Sequence, residues 1–290
     1  MANKWQKHKN NFPKSTPTSD SQYELIWQNL TITDDFIFGK IMSDPELCIE
    51  LLQRIFPHYD IERIEYIKVQ ETIRLDKEAK GIQLDVFVKD NKNVAFCVEM
   101  QTRNVDNLPK RSRYYQSLVD LELLDRGQAY DELAHSYVIF ICPKDLFHCG
   151  YYLYEFRNYC TQDRQLELGD ETTKIFLNAN GTRGDIHPPL KEFLDYVAGK
   201  DPETPSEFIV KLKSAVHHAK QNKEWRRQHM ILYFRDQDIR ADALKEGIDI
   251  GRQEEALRIA QSMLEKGMDP ELILEMTGLS PSDLDDLYNE

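Results

Sequence analysis

Two neighbouring apolar runs, separated by a short polar cluster, constrain the fold of this chain more than any other feature. The first run extends from Ile82 to Val88 and the second from Val94 to Gln101, with Asp90-Asn91-Lys92-Asn93 between them. Apolar β-branched and aromatic residues alternate with other residues in both runs, which is the pattern of two strands joined by a turn. The sequence therefore predicts a β-hairpin.

Two acidic residues, Asp85 and Glu99, share one face of this predicted hairpin. Any register that matches the apolar faces places them directly opposite, with Cβ atoms about 5 Å apart, or diagonally at about 7–8 Å. Like charges at that separation destabilise a sheet, whereas a divalent cation such as Mg²⁺ would bind both carboxylates. Gln101 follows Glu99 by two residues and therefore points to the same face.

A second interpretation of the two acids needs no ion, since strands routinely carry acidic residues on a solvent-exposed face. Phe87, Ala95 and Cys97 lie on the same face of the hairpin, which indicates that this face is partly covered. A half-buried carboxylate without a partner is costly. Both interpretations, surface decoration and metal site, follow from the spacing alone.

A series of sequence blocks resembles a known family. Asp85, followed by Glu99-Met100-Gln101 at a strand end, is similar to the D…(D/E)xK signature of the PD-(D/E)xK nuclease superfamily. The blocks that resemble its Rpn-type recombination-promoting nucleases, also called PD-(D/E)xK family transposases, are residues 34–38, 74–76, 81–86, 98–101, 108–116, 137–142, 168–176 and 191–197. The resemblance covers residues 22–290. Gln101 stands where the superfamily has lysine, and no proline precedes Asp85.

The resemblance implies an α/β fold with a PD-(D/E)xK restriction-endonuclease-like core, a mixed sheet flanked by helices, and an α-helical C-terminal region. It implies a metal-dependent DNA endonuclease, linked to recombination or mobile elements, that uses Mg²⁺ (or Mn²⁺) to hydrolyse double-stranded DNA. Asp85 and Glu99 would be catalytic metal ligands, and Asp35 would be a third. Gln101 carries no charge and can only position water or phosphate by hydrogen bonds. We therefore expect weak activity.

The net charge of −13 is unfavourable for a DNA-binding protein, so local basic patches must bind phosphate. Residues 108–124 have a helical pattern, with Asn107 as the predicted cap and Tyr114, Leu118 and Leu121 as the predicted core stripe. A helix start near arginines can bind phosphate, although a solvated basic turn looks the same. The candidate nucleic-acid contacts are Lys110, Arg111, Arg113 and Gln116, and Arg111 or Arg113 are candidates for the charge that Gln101 lacks.

Composition and the residues that interrupt helices and strands predict three regions. Residues 1–20 read as a disordered basic tail, residues 21–200 as the nuclease-like domain and residues 201–290 as a helical region, with Asp201–Pro205 as the linker. Within the second region, Thr33 is the predicted cap of a short helix that starts at Asp34. Five cysteines without a CxxC pair, and no long apolar run, favour a cytoplasmic protein outside the membrane.

The helical region ends in an outline that resembles a helix-turn-helix, with stops at Gly267 and Gly278. Its last helix carries Asp283, Asp285 and Asp286 and no basic residue, so we expect self-association into a homo-oligomer rather than DNA reading. Two alternatives to the endonuclease follow. The chain could be a catalytically weak DNA-binding or regulatory module that oligomerises through this tail, or a mobile-element protein that assists recombination.

Overall fold

The computed structural model of the 290-residue chain describes residues 20–73, 82–102 and 107–289. The predicted N-terminal tail, the block at residues 74–76 and most of the charged connection that precedes Ile82 lie outside the described residues. The chain divides into two compact units, Met1–Arg226 and Arg227–Glu290. No helix in the described part of the chain is both long enough and apolar enough to cross a bilayer.

Groups of helices and strands alternate along the first part of the described chain, and the last part is helical. The helices are α1 (Asp20–Asn29), α2 (Asp35–Met42), α3 (Pro45–Ile55), α4 (Leu108–Leu123), α5 (Pro188–Val197), α6 (Glu207–Gln221), α7 (Lys223–Glu265), α8 (Pro270–Thr277) and α9 (Pro281–Asn289). The strands are β1 (Ile64–Ile73), β2 (Ile82–Asp90), β3 (Val94–Met100), β4 (His135–Cys142), β5 (Leu153–Phe156) and β6 (Thr172–Asn178).

The strands form one mixed sheet in the order β1-β2-β3-β4-β6-β5. β2 and β3 are the predicted hairpin and pair antiparallel, while β4 lies parallel to both β3 and β6. A parallel connection needs a crossover, and α4 supplies it between β3 and β4. With helices packed around this sheet, the α/β architecture with a helical C-terminal region is confirmed.

One face of the sheet is covered by α4. The core cluster there joins buried residues of four strands to α4, and it contains Phe87, Ala95, Cys97, Leu108, Tyr115, Leu118, Val119, Val138, Phe140 and Phe176. Every residue of β3 is buried, so the hairpin face that carries Phe87, Ala95 and Cys97 is fully covered rather than partly exposed to solvent. The same face carries Asp85 and Glu99.

Three local predictions about helix starts and faces were wrong. Asp34, not Thr33, is the N-cap of α2, and its side chain accepts a hydrogen bond from Ile37 N. Asn107 precedes α4 with ψ near 10°, and its side chain makes no cap bond. Leu121 is 56% exposed, because the buried face of α4 follows Leu108 and Tyr115 rather than the predicted stripe.

The C-terminal helices divide differently from the predicted linker. α6 packs against α2 and α3 and belongs to the first unit, so the compact units separate after Arg226 rather than near residue 200. In the second unit Ala260, Ile273 and Leu284 form a small buried core. Gly267 and Gly278 both have positive φ, as the predicted helix stops require.

Candidate active site

The register of the hairpin sets the position of the two acids. Val86 pairs with Val98 and Phe87 with Cys97, so the next pair in this register is Asp85 and Glu99. The ladder itself ends at Val86 and Val98, and the same register continued by one pair sets the two acids opposite each other. Both side chains are buried, with exposed fractions of 7% for Asp85 and 5% for Glu99.

The two carboxylates take over the hydrogen bonds of the backbone where the ladder between β2 and β3 ends. Met100 N donates to Asp85 Oδ2 at 2.8 Å, and Asp85 N donates to Glu99 Oε1 at 2.9 Å. The thiol of Cys97 also donates to Glu99 Oε1, at 3.8 Å. One oxygen of each carboxylate is thus fixed by the protein, whereas Asp85 Oδ1 and Glu99 Oε2 have no hydrogen-bond partner among the described residues.

The environment of the pair favours neutral carboxyl groups when no cation is bound. Burial raises the pKa of Asp85 well above its usual value, and the charges of Glu99 and Asp35 raise it further. Burial also raises the pKa of Glu99, outweighing the hydrogen bond from Asp85 N that lowers it. No ion pair joins either acid to a basic side chain within the part of the chain that the structure describes. Two buried acids with no basic partner among the described residues repel each other when both are ionised, and a bound cation would relieve that repulsion.

Asp35 acts on this pair through its charge. It is exposed at the first position of α2, and its Oδ1 accepts a hydrogen bond from Phe36 N. Its negative charge raises the pKa of both Asp85 and Glu99. Across the described residues, no three His, Cys, Asp or Glu side chains are close enough to hold one metal ion. Asp35 therefore does not form a three-residue cluster with the pair, and its role as a third ligand stays a prediction.

Gln101 lies two residues beyond Glu99, just past the end of β3, and its side chain contacts α4. Gln101 N donates to Ile141 O at 2.9 Å, which continues the ladder between β3 and β4. Its side-chain oxygen accepts a hydrogen bond from Arg111 Nη1 at 2.8 Å. Arg111 Nη2 donates to the hydroxyl of Tyr115, also at 2.8 Å. The sequence made Arg111 a candidate phosphate contact and a candidate for the charge that Gln101 lacks, but it did not predict the hydrogen bonds to Gln101 and Tyr115.

The remaining candidate residues separate into an exposed and a buried group. Lys110 and Arg113 are exposed at the start of α4, where they are accessible to a large anionic ligand. Gln116 is only 6% exposed, and its amide nitrogen donates to Asp120 Oδ1 and Ser136 Oγ. These buried contacts fit a packing role for Gln116 better than the nucleic-acid contact that the sequence analysis gave it.

Comparison with known proteins agrees with the geometry of this site. Residues 33–183 match the family described as PD-(D/E)XK nuclease family transposase. Residues 253–289 match the C-terminal HTH domain of the Rpn/YhgA-like nuclease family, so the helix-turn-helix outline is confirmed. No curated protein and no solved structure matches the chain.

Proposed function

The chain belongs to the PD-(D/E)XK nuclease family transposases, and on that basis we propose that it is a metal-dependent endonuclease that hydrolyses double-stranded DNA. The observation that supports this proposal most strongly is the buried pair of Asp85 and Glu99. Each carboxylate has one oxygen held by a backbone amide and one oxygen without a partner among the described residues. Oxygen-only donors of this kind suit a hard divalent cation, so the residues fit Mg²⁺, with Mn²⁺ as a possible substitute.

In this proposal the protein supplies position and charge. Mg²⁺ held by Asp85 and Glu99 would activate a water molecule and neutralise charge on the scissile phosphate. The backbone amides of Asp85 and Met100 hold the carboxylates in place, and the surrounding apolar core keeps bulk water away. Asp35 contributes negative charge that attracts the cation. Gln101 carries no charge, so its contribution is limited to hydrogen bonding.

DNA contacts are proposed for the exposed start of α4. Lys110 and Arg113 would bind backbone phosphates on either side of the cleaved bond, without reading base sequence. Because the chain as a whole is strongly acidic, this local patch would give modest affinity that decreases with salt.

A cytoplasmic location is proposed from the cysteines. Cys48, Cys97 and Cys142 are free and buried, which suits a reducing compartment. The family's transposase description supports a role in recombination of mobile DNA.

The test of this proposal is cleavage of supercoiled plasmid by the full-length chain. We expect nicked and linear products in Mg²⁺ and none in EDTA, and we expect Glu99→Gln to remove cleavage by at least about 100-fold. A chain that binds the plasmid but shows neither Mg²⁺ binding in calorimetry nor cleavage in Mg²⁺ or Mn²⁺ would be the regulatory module instead. Joined rather than free ends would indicate strand transfer.

The second unit is proposed to mediate self-association. α8 and α9 carry five acidic residues and no basic residue, so they do not suit a DNA backbone. On α7, Ile239, Leu244 and Ile250 are 50–66% exposed, and Ile239 and Ile250, eleven residues apart, lie on the same side of the helix. The occupant that we propose for this surface is the α7 helix of a second copy.

Self-association and DNA binding should respond to salt in opposite directions. Two acidic units repel each other, and salt screens that repulsion, so we expect the oligomer to strengthen between low and moderate ionic strength while DNA binding weakens. Ile239→Glu with Leu244→Glu should give a monomer in analytical ultracentrifugation. Glu254→Gln, an exposed change on the same helix, is the control and should leave the oligomer intact. A wild-type chain that is monomeric at every salt concentration would contradict this part of the proposal.

A further inference from the structure

Among the described residues, the guanidinium group of Arg111 has no anionic partner, although it lies close to the buried acid pair. Its hydrogen bonds are to two neutral groups, the amide oxygen of Gln101 and the hydroxyl of Tyr115, each at 2.8 Å. Within the described residues it forms no ion pair with Asp85 or Glu99. Its positive charge nevertheless acts on both acids: it lowers the pKa of each carboxyl group, while burial raises it.

Arg111 is also held more rigidly than a surface arginine. Its guanidinium carbon lies 5.4 Å from the centre of the Tyr115 ring. Tyr115 is one helical turn further along α4, is only 5% exposed, and packs against Phe140 of β4 with ring centres 5.7 Å apart. Gln101 is fixed in turn by the sheet, through its backbone bond to Ile141. The guanidinium is thus positioned from two sides, by a strand and by a helix.

A guanidinium group has five N–H donors, and the two bonds to Gln101 and Tyr115 use only part of them. The others can form paired hydrogen bonds to phosphate oxygens, for which the planar geometry of arginine is well suited. Lys110 and Arg113 do not share this position. They are exposed, and successive residues of a helix point about 100° apart, so neither lies on the side of α4 that carries Arg111 and Tyr115.

We propose that Arg111 is the catalytic cation of this site, donating hydrogen bonds to the scissile phosphate, and that Gln101 and Tyr115 are positioning residues that hold it. This inference rests on the proposed nuclease function and changes the role of Gln101. The glutamine is then not a weakened lysine. It is the strand-side anchor for a positive charge that comes from the following helix.

Single-turnover cleavage of a labelled duplex by the full-length chain tests this assignment. Arg111→Gln should lower the cleavage rate by about 100- to 1000-fold, as expected for the loss of one donor to developing charge. Its affinity for Mg²⁺ in calorimetry should stay the same or increase, because a neighbouring positive charge has been removed. A merely structural role would weaken metal binding as well. Arg126→Gln, an exposed change just beyond the end of α4, is the matched control and should leave the rate unchanged.

A lysine at position 101 would supply the positive charge from the end of β3 instead of from α4, which gives the sharpest comparison. The double variant Gln101→Lys with Arg111→Gln should cleave at least about tenfold faster than Arg111→Gln alone, since a lysine at position 101 places a cation at the same end of β3. Tyr115→Phe should lower the rate by about tenfold, because it removes one of the two groups that orient the guanidinium. A double variant no faster than Arg111→Gln alone would overturn the assignment.

Binding of a short duplex in Ca²⁺ separates this inference from the proposed function. Arg111→Gln should weaken duplex binding and reduce the salt dependence by about one phosphate contact, and Gln101→Lys should restore both. If the wild-type chain does not cleave DNA but shows this binding pattern, the endonuclease proposal fails and Arg111 remains a phosphate-binding residue. If Arg111→Gln binds the duplex as tightly as wild type, the inference fails whether or not the chain cleaves DNA.

Discussion

Asp85→Asn should remove DNA cleavage and, in the absence of metal, make the protein more stable at alkaline pH. The side chain is buried, and its pKa is raised by burial and by the charges of Glu99 and Asp35. Ionising it in the folded state therefore costs free energy. The asparagine keeps the shape of the side chain and an oxygen that can accept the bond from Met100 N, which Asp85 now accepts at 2.8 Å. Only the charge is lost.

The direction of the pH dependence follows from the raised pKa. A carboxyl group whose pKa is higher in the folded than in the unfolded protein contributes stability at low pH that is lost as pH rises through the folded pKa. Wild type and Asp85→Asn should thus differ least near pH 4, close to the pKa of an aspartate in the unfolded chain. Towards pH 8 the variant should become progressively more stable than metal-free wild type, seen as a rise in Tm.

A second buried aspartate on the same strand provides the matched control. Asp90 accepts hydrogen bonds from Lys92 N, Val94 N and the hydroxyl of Tyr59, so its carboxylate is satisfied within the protein. Asp90→Asn should lower the free energy of unfolding by about 1–2 kcal/mol through the loss of these contacts. Thermal unfolding of both variants with and without Mg²⁺ checks the contrast. The acid-pair account is contradicted if Asp85→Asn destabilises the metal-free protein as much as Asp90→Asn does.

Mg²⁺ affinity should rise steeply with pH. Burial raises the pKa of Glu99 to about 8, and the pKa of Asp85 is raised as well, so a cation must displace protons to bind. We expect the apparent Kd for Mg²⁺ to fall by about tenfold to a hundredfold for each pH unit between roughly pH 6 and 8, as one or two protons are displaced, and to change less above that range.

Calorimetry in two buffers of different ionisation enthalpy measures this linkage directly, because the protons released on binding are taken up by the buffer. About one to two protons should be released per Mg²⁺ bound near pH 7. Glu99→Gln removes one of the two charged ligands, and binding should then fall below detection. A pH-independent Kd with no proton release would mean that the pair is already ionised and that the cation binds elsewhere.

The sequence was sufficient for the parts of the fold that local patterns control. Alternation of apolar residues predicted the hairpin of β2 and β3, and the glycines that end helices in the C-terminal region were identified at Gly267 and Gly278. The same alternation restricted Asp85 and Glu99 to one face of the hairpin. That restriction follows from the twofold period of a strand, which leaves few registers once the apolar faces are matched.

Contacts between distant segments were beyond the sequence patterns. The bond from Arg111 to Gln101 joins a helix to the end of a strand, and no local spacing specifies which of three basic side chains faces the sheet. Asn107 and Leu121 show the same limit, because backbone geometry at the helix start and tertiary packing decided their roles. The spacing of Arg111 and Tyr115, four residues apart on one helix, was the available signal for their contact.

Crystals of the wild-type chain soaked in Mn²⁺ at alkaline pH, measured for anomalous scattering, test the central claim most directly. The account predicts an anomalous peak between Asp85 Oδ1 and Glu99 Oε2, with both oxygens bound to the ion, and no such peak in Asp85→Asn. A wild-type map at saturating Mn²⁺ without a peak at this pair, in which the two acids keep only their backbone hydrogen bonds, would contradict it.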